Sequence, residues 1–285
     1  YKGGRSWTDH RREARLDLSD PSDWDGKLSR AFGRMLHIDD VTRLDFYRTV
    51  LSEEAAPADR GWSERERRLL YMLHLSLWGV GEKFDSMSEG FDRLWASPAL
   101  RQETIDLLEL LDEAATHVHR PLGLELDAPL MVHATYTRDE ALAAMGIGTP
   151  DKPPSLREGV KWVEDEDTDM FLFTLRKSDA DFSPTTRYND YAISSELFHW
   201  ESQSTTSVKS PTGKRYLNHR ENGTHILLFA REGKKTDSGQ TSPFIFLGPA
   251  DYVTHEGDRP IAITWKLRHP MPSSFYSRAK LAAGT

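Results

Sequence analysis

P-I-A-I-T-W-K-L, residues 260–267, is the stretch that decides the fold class. Its residues alternate: Ile261, Ile263, Trp265 and Leu267 stand on one side, and Ala262, Thr264, Lys266 and the following Arg268 on the other. A period of two with one apolar side predicts a strand with one buried and one basic face. Working outward, strand-like runs recur at 171–175, 197–202, 224–230 and 244–247, between turn-rich segments such as S-P-T-G-K at 210–214 and G-P-A-D at 248–251. Several short strands with few helices predict an antiparallel sheet curled into a small barrel, with Pro270 and Pro272 leading out into a loose tail.

Upstream the period changes. Ser6, Asp23, Asp40, Ser63 and Ser97 each open a run with helical spacing, and Glu66 stands at the capping-box position after Ser63. Leu69, Leu70, Leu73 and Leu77 form one helical stripe, and Pro121 closes the helical series. Residues 130–136 alternate as a strand. Thr137 with Glu140 then caps a short helix that ends at Gly146, and Ser155 with Glu158 repeats the capping pattern. The expectation is therefore an α+β chain, with a helical coupler domain at 1–125 and a β-barrel-like domain at 126–285.

Composition narrows the function classes. The 285 residues contain no cysteine, which removes disulfides, thiolate metal sites and a cysteine nucleophile, and fits a reducing cytoplasm. No apolar run approaches the roughly 18 residues of a membrane span. The chain opens Tyr1-Lys2-Gly3-Gly4 with no initiator methionine or signal segment, as expected of a piece of a longer polypeptide. The net charge of −8 lies wholly in residues 1–150, where 19 Lys and Arg face 27 Asp and Glu. The rest is neutral but polarised. Residues 205–235 hold seven bases and two acids, and five bases with no acid follow Asp258. Such clusters can contact phosphates even in an acidic chain.

The densest recognition chemistry is R-Y-N-D-Y-A-I-S-S-E-L-F-H-W-E-S-Q at 187–203. Tyr188, Tyr191, Phe198 and Trp200 offer flat faces, and Asp190 and Glu201 offer carboxylates. A base drawn out of a DNA stack needs both, stacking for its faces and an acceptor for a cytosine amino group. These six are the candidate base pocket. Arg187, Thr205, Thr206, Lys209, Lys214 and Arg215, on and beside the 205–220 loop, together with Lys234, Lys235, Lys266 and Arg268, are the candidate phosphate contacts. The same stretch also reads as a core strand with a polar outer face, and the 205–220 loop as a surface hairpin.

Catalytic readings are thinner. His199, Glu201, His255 and Glu256 could hold a hydrolytic metal, but no H-E-x-x-H pair is present. There is no G-x-S-x-G elbow, no Walker motif, and no third glycine after Gly146 and Gly148. No cofactor and no resident metal are expected, and the chain by itself is expected to bind rather than cut. A metal-dependent hydrolase and a protein-interaction module docking on a helicase stay open as alternatives.

A series of motifs carries a resemblance: R-Y-N-D-Y-A-I (187–193), F-H-W-E-S-Q-S-T-T (198–206), I-L-L-F-A-R-E (226–232), P-F-I-F-L-G (243–248), H-E-G-D-R-P-I (255–261) and W-K-L (265–267). Over roughly residues 150–270 the chain resembles a C-terminal domain of bacterial helicases that carry a phospholipase-D-type nuclease. That group includes modification-dependent, type IV restriction enzymes acting on DNA with methylated or hydroxymethylated cytosine. S-W-T-D-H-R-R-E at 6–13 is similar to the linker after the helicase, which makes the helical half a coupler. The resemblance implies a target-recognition domain of the barrel type related to SET-and-RING-associated and PUA-like readers. It also implies two partners: double-stranded DNA with modified cytosine, and helicase and nuclease domains upstream in the same polypeptide. The pocket residues above come from their chemistry, and Trp265 is assigned to the core.

Overall fold

The computed structural model describes residues 4–17, 20–115, 118–175, 190–236 and 239–283. In chain order its helices are α1 (Trp7–Glu13), α2 (Asp25–Met35), α3 (Val41–Ser52), α4 (Glu64–Trp78), α5 (Met87–Trp95), α6 (Pro98–Ala114), α7 (Arg138–Ala144), α8 (Pro211–Leu217) and α9 (Ser273–Ala283). Its strands are β1 (Arg120–Pro121), β2 (Met131–Val132), β3 (Thr135–Tyr136), β4 (Val160–Val163), β5 (Thr168–Thr174), β6 (Tyr191–Ala192), β7 (Leu197–Glu201), β8 (His225–Arg231), β9 (Phe244–Glu256) and β10 (Ala262–Leu267). Helices followed by a large sheet make the chain α+β, as the change of period predicts.

The chain forms two compact units that interleave between residues 119 and 156. The first is Tyr1–His119, Glu125–Leu130 and Ala134–Ser155; the second is Arg120–Leu124, Met131–His133 and Leu156–Thr285. The expected boundary stood after residue 125; in the structure the helix α7 joins the helical unit.

In the helical unit, local capping chemistry sets the helix starts. The side chains of Ser6, Asp40, Ser63, Ser86 and Thr137 each accept an amide hydrogen from the first turn that follows, and the boxes with Asp9, Glu66 and Glu140 are complete. Every residue of α4 from Arg68 to Trp78 is buried, so the leucine stripe is part of a helix enclosed on all sides. Arg43 is fully buried as well. It pairs with Asp40, donates to Thr135 O at 2.6 Å and lies 4.2 Å from the Tyr136 ring centre. Glu140 closes this network: His37 Nε2 lies 2.6 Å and Arg43 Nη1 3.6 Å from its oxygens. Burial opposes its ionisation, but His37 and Arg43 hold the carboxyl down at about 2.

In the second unit seven strands form one path, β4-β5-β8-β9-β10-β7-β6. All pairings along it are antiparallel except β5 with β8, where Thr168↔His225 to Thr174↔Arg231 run parallel. The long connection from 175 to 224 permits this, because a parallel neighbour needs a crossover rather than a hairpin. β9 turns the sheet. Its first half pairs with β8 and its second half, from Ala250 to Glu256, with β10. Gly248, opposite Leu228 near the end of the first half, has φ +94°, and a Cβ there would come within 3.0 Å of the Val132 side chain. The two halves fold toward one core, in which Phe171 and Phe173 of β5 meet Trp200 and Phe198 of β7.

Several expectations change. The path ends at β4 and β6 among the described residues, so the sheet is curled without closing into a barrel ring. The 130–136 run is split by His133, whose φ of +74° interrupts the extended backbone. Ser155 and Glu158 precede the strand β4 and cap no helix. The tail after Pro272 is the helix α9, held because Phe275 and Ala279 are buried in the core.

Candidate nucleic-acid interface

β7 reads L-F-H-W-E, and its burial alternates with its sequence: Phe198 and Trp200 are buried, while Leu197, His199 and Glu201 are partly open. Pairing carries this two-sidedness to the neighbours. Tyr191 of β6 and Thr264 of β10 both stand opposite His199 and share its outer face. The outcome is an aromatic pair at the sheet surface. The Tyr191 ring stacks on the His199 imidazole, centres 4.6 Å apart and planes 22° apart, and Tyr191 remains 37% exposed. Two pairing rows away, on the same face, Lys266 of β10 is exposed opposite Leu197, and Glu201 lies two residues along β7 in the other direction. The buried Asp190 braces this edge by accepting the Glu201 N–H at 3.2 Å.

The inner face of the same strand does different work. Phe198 is fully buried against Phe173, and Trp200 lies parallel to Phe171 with Tyr216 against its edge. Assigning Phe198 and Trp200 to a pocket wall is therefore corrected: their faces are already covered by core rings. Of the six pocket candidates, Asp190, Tyr191 and Glu201 gather at the β6–β7 edge, and Tyr188 lies outside the described residues.

The phosphate candidates scatter. Arg187 lies outside the described residues. The expected 205–220 loop contains the helix α8, opened by Ser210 with Pro211 in its first turn. Gly213 lets it sit tightly, since a Cβ there would come within 2.0 Å of the Ser207 carbonyl oxygen. Thr205, Lys209 and Lys214 are exposed, whereas Thr206 is buried and donates to the Gln203 side chain at 3.2 Å. Arg215 is corrected to an internal role. It reaches Asp169 with two hydrogen bonds, 2.6 and 2.9 Å, and lies 4.1 Å from the Trp162 ring centre. Burial pushes the Asp169 carboxyl up, against the pull of Arg215. Lys235 is exposed and bridged in the backbone to Thr241, while Lys234 is partly buried. Arg268 is exposed but engages Asp251 at 3.2 and 3.3 Å.

Two groups in this region have no forerunner in the sequence reading. Asp251 sits between Arg268 and Arg220, the latter at 3.0 Å; burial opposes its ionisation, yet the two arginines hold it at about 2. His219 is buried beside it, accepting the Tyr252 N–H at Nε2, 3.0 Å away, so its proton sits on Nδ1 toward Thr224 O. Burial lowers its pKa. Asp251 and Tyr252 of β9, His219 and Arg220 after α8, and Arg268 after β10 meet only in the folded chain, and no local spacing announces it.

The proposed metal quartet does not converge. His199 shares the outer face with Thr264, while His255 stands opposite Ile263 on the inner face, its Nδ1 2.7 Å from the Tyr252 hydroxyl. Among the described residues no three His, Asp or Glu side chains are grouped to hold a metal ion. No described helix is long and apolar enough to cross a membrane.

No curated protein matches the sequence. Among solved structures the chain is similar to the 5-Hydroxymethylcytosine-Specific Restriction Enzyme AbaSI, with a TM-score of 0.32 and 14% identity, over 64% of this chain and 55% of that one. The chain thus spans about half the length of that enzyme, and a likeness so distant carries no functional weight. The family described as "Domain of unknown function (DUF3427)" matches residues 130–279, more than half of the sequence, and the chain belongs to that family.

Proposed function

We propose that this chain is a DNA-binding module that recognises modified cytosine, 5-methyl or 5-hydroxymethyl, on a base turned out of the duplex. In this reading it serves a modification-dependent helicase–nuclease restriction enzyme whose motor and nuclease belong to the same polypeptide. The chain binds, and cutting resides elsewhere. The observation that carries the reading is the exposed Tyr191–His199 stack on the outer sheet face, beside Glu201 and Lys266. A flat aromatic surface supports a base that has lost its own stacking, a carboxylate accepts from a cytosine amino group, and a lysine meets the backbone. The ordered motifs at 187–267, through the resemblance they carry, support the same reading.

The test is an anisotropy titration with three otherwise identical duplexes carrying unmodified, 5-methylated or 5-hydroxymethylated cytosine, at two salt concentrations. Tighter binding to one modified duplex is the expected result and names the mark. Equal affinity for all three defeats the reader assignment, and binding to none defeats DNA binding altogether.

A further inference from the structure

The helical unit carries a cleft that the DNA-reading assignment does not use. Residues 53–62, between α3 and α4, form a loop around an open cavity of about 500 Å3 lined by Glu53, Glu54, Ala55, Pro57, Arg60 and Trp62 among others. That volume lies in the range of roughly 300–1,000 Å3 common for ligand pockets. The loop is held in shape from outside. The Trp95 indole donates to the carbonyls of Glu53 and Glu54 at 3.3 and 3.1 Å, Arg101 donates to Glu53 O at 2.9 Å, and Asp59 accepts from Ser88 N–H and Oγ–H. The Trp62 wall is likewise fixed, through its indole bond to Ala58 O at 2.8 Å and its edge contact with Phe46.

Within this braced frame the carboxylates of Glu53 and Glu54 make no hydrogen bond or ion pair with any described residue, and both residues are exposed. Ala55, Ala56 and the partly open Trp62 ring supply apolar surface beside them, with Pro57 buried beneath. Two open carboxylates next to an apolar, aromatic wall match a side chain with a long aliphatic stem and a cationic head. The lining stays acidic on balance, with Glu53 and Glu54 against the single cation Arg60, and residues 1–150 carry the whole net charge of −8.

We propose that the 53–62 cleft docks a basic peptide segment of a partner protein, with a lysine or arginine stem along Ala55, Ala56 and Trp62 and its charge at Glu53 and Glu54. The acid side chains serve no internal contact, so they can be altered without disturbing the loop. Because the cleft lies in the helical unit, this docking is independent of base recognition.

The test uses the full chain, labelled with 15N in its indole groups, and the probe peptide acetyl-Ala-Arg-Ala-Lys-Ala-amide. The expected result is a saturable shift of the Trp62 indole resonance that weakens as salt rises and is absent with acetyl-Ala-Glu-Ala-Glu-Ala-amide. The double variant Glu53→Gln/Glu54→Gln is expected to bind at least tenfold more weakly, with the indole resonances other than those of Trp62 and the neighbouring Trp95 unmoved. A Trp62 resonance unmoved at millimolar basic peptide, an equal response to the acidic peptide, or unchanged affinity in the double variant overturns the proposal. DNA titration of the same double variant keeps the two ideas apart, since its DNA affinity is expected to equal that of the parent chain.

Discussion

The rings of Phe171 and Trp200 lie parallel, 4.2 Å between centres and 16° between planes, although their strands β5 and β7 are separated by three others along the sheet. This contact shows how far the sheet curls, and it changes what a substitution at Trp200 reports. Trp200→Ala is expected to remove core packing worth about 3–5 kcal/mol and to lower the midpoint of thermal or urea unfolding strongly. A variant that kept parental stability while losing only DNA discrimination would return Trp200 to the recognition surface.

Tyr191 is the cleaner probe of recognition. Its ring is exposed and stacks only at the surface, so Tyr191→Ala is expected to leave unfolding within about 1 kcal/mol of the parent chain. Its loss of base stacking, on the order of 1–3 kcal/mol, is expected to weaken binding to modified duplex by about tenfold or more. Undiminished discrimination in this variant would remove the β6–β7 edge from the site.

Lys214 and Arg215 are neighbours in α8 with opposite expected behaviour. Arg215→Ala leaves the buried Asp169 without its cation, a change that costs about 3–5 kcal/mol in buried pairs, so unfolding should be the main readout. Lys214 is exposed. Lys214→Ala is expected to keep stability and, if the lysine meets a phosphate, to reduce the slope of log affinity against log salt by about 0.9.

Acid stability follows from two buried groups of the helical unit. Burial pushes His74 down from 6.5 to about 4, so the unfolded chain takes up a proton that the folded chain refuses. Stability is expected to fall as pH drops from about 6.5 to about 4, and His74→Phe should flatten that part of the profile. Glu140 is held at about 2 against an ordinary 4.5, so its contribution is present above 4.5 and lost as pH falls from there toward 2. Glu140→Gln is expected to be less stable at neutral pH and to lack this lower slope. Unfolding midpoints measured from pH 7 to pH 2 check both.

What the sequence by itself determined was local. The caps at Ser6, Asp40, Ser63 and Thr137, and the strands built on L-F-H-W-E and A-I-T-W-K-L, depend on relations two or three residues apart, and they stand where spacing places them. The α+β class follows from the same periods. Tertiary structure decided which residues remain open. Aromatic character alone cannot separate Tyr191 from Trp200; the difference arises because Phe171, in sequence far from β7, covers one face of that strand and leaves the other to His199 and Tyr191. Likewise the charge of Arg215 is neutralised by Asp169, 46 residues away, in a contact from α8 to β5 that no local pattern encodes. Burial is a property of what the rest of the chain brings to a side chain, so recognition chemistry was legible in composition while its exposure was set only by the curl of the sheet.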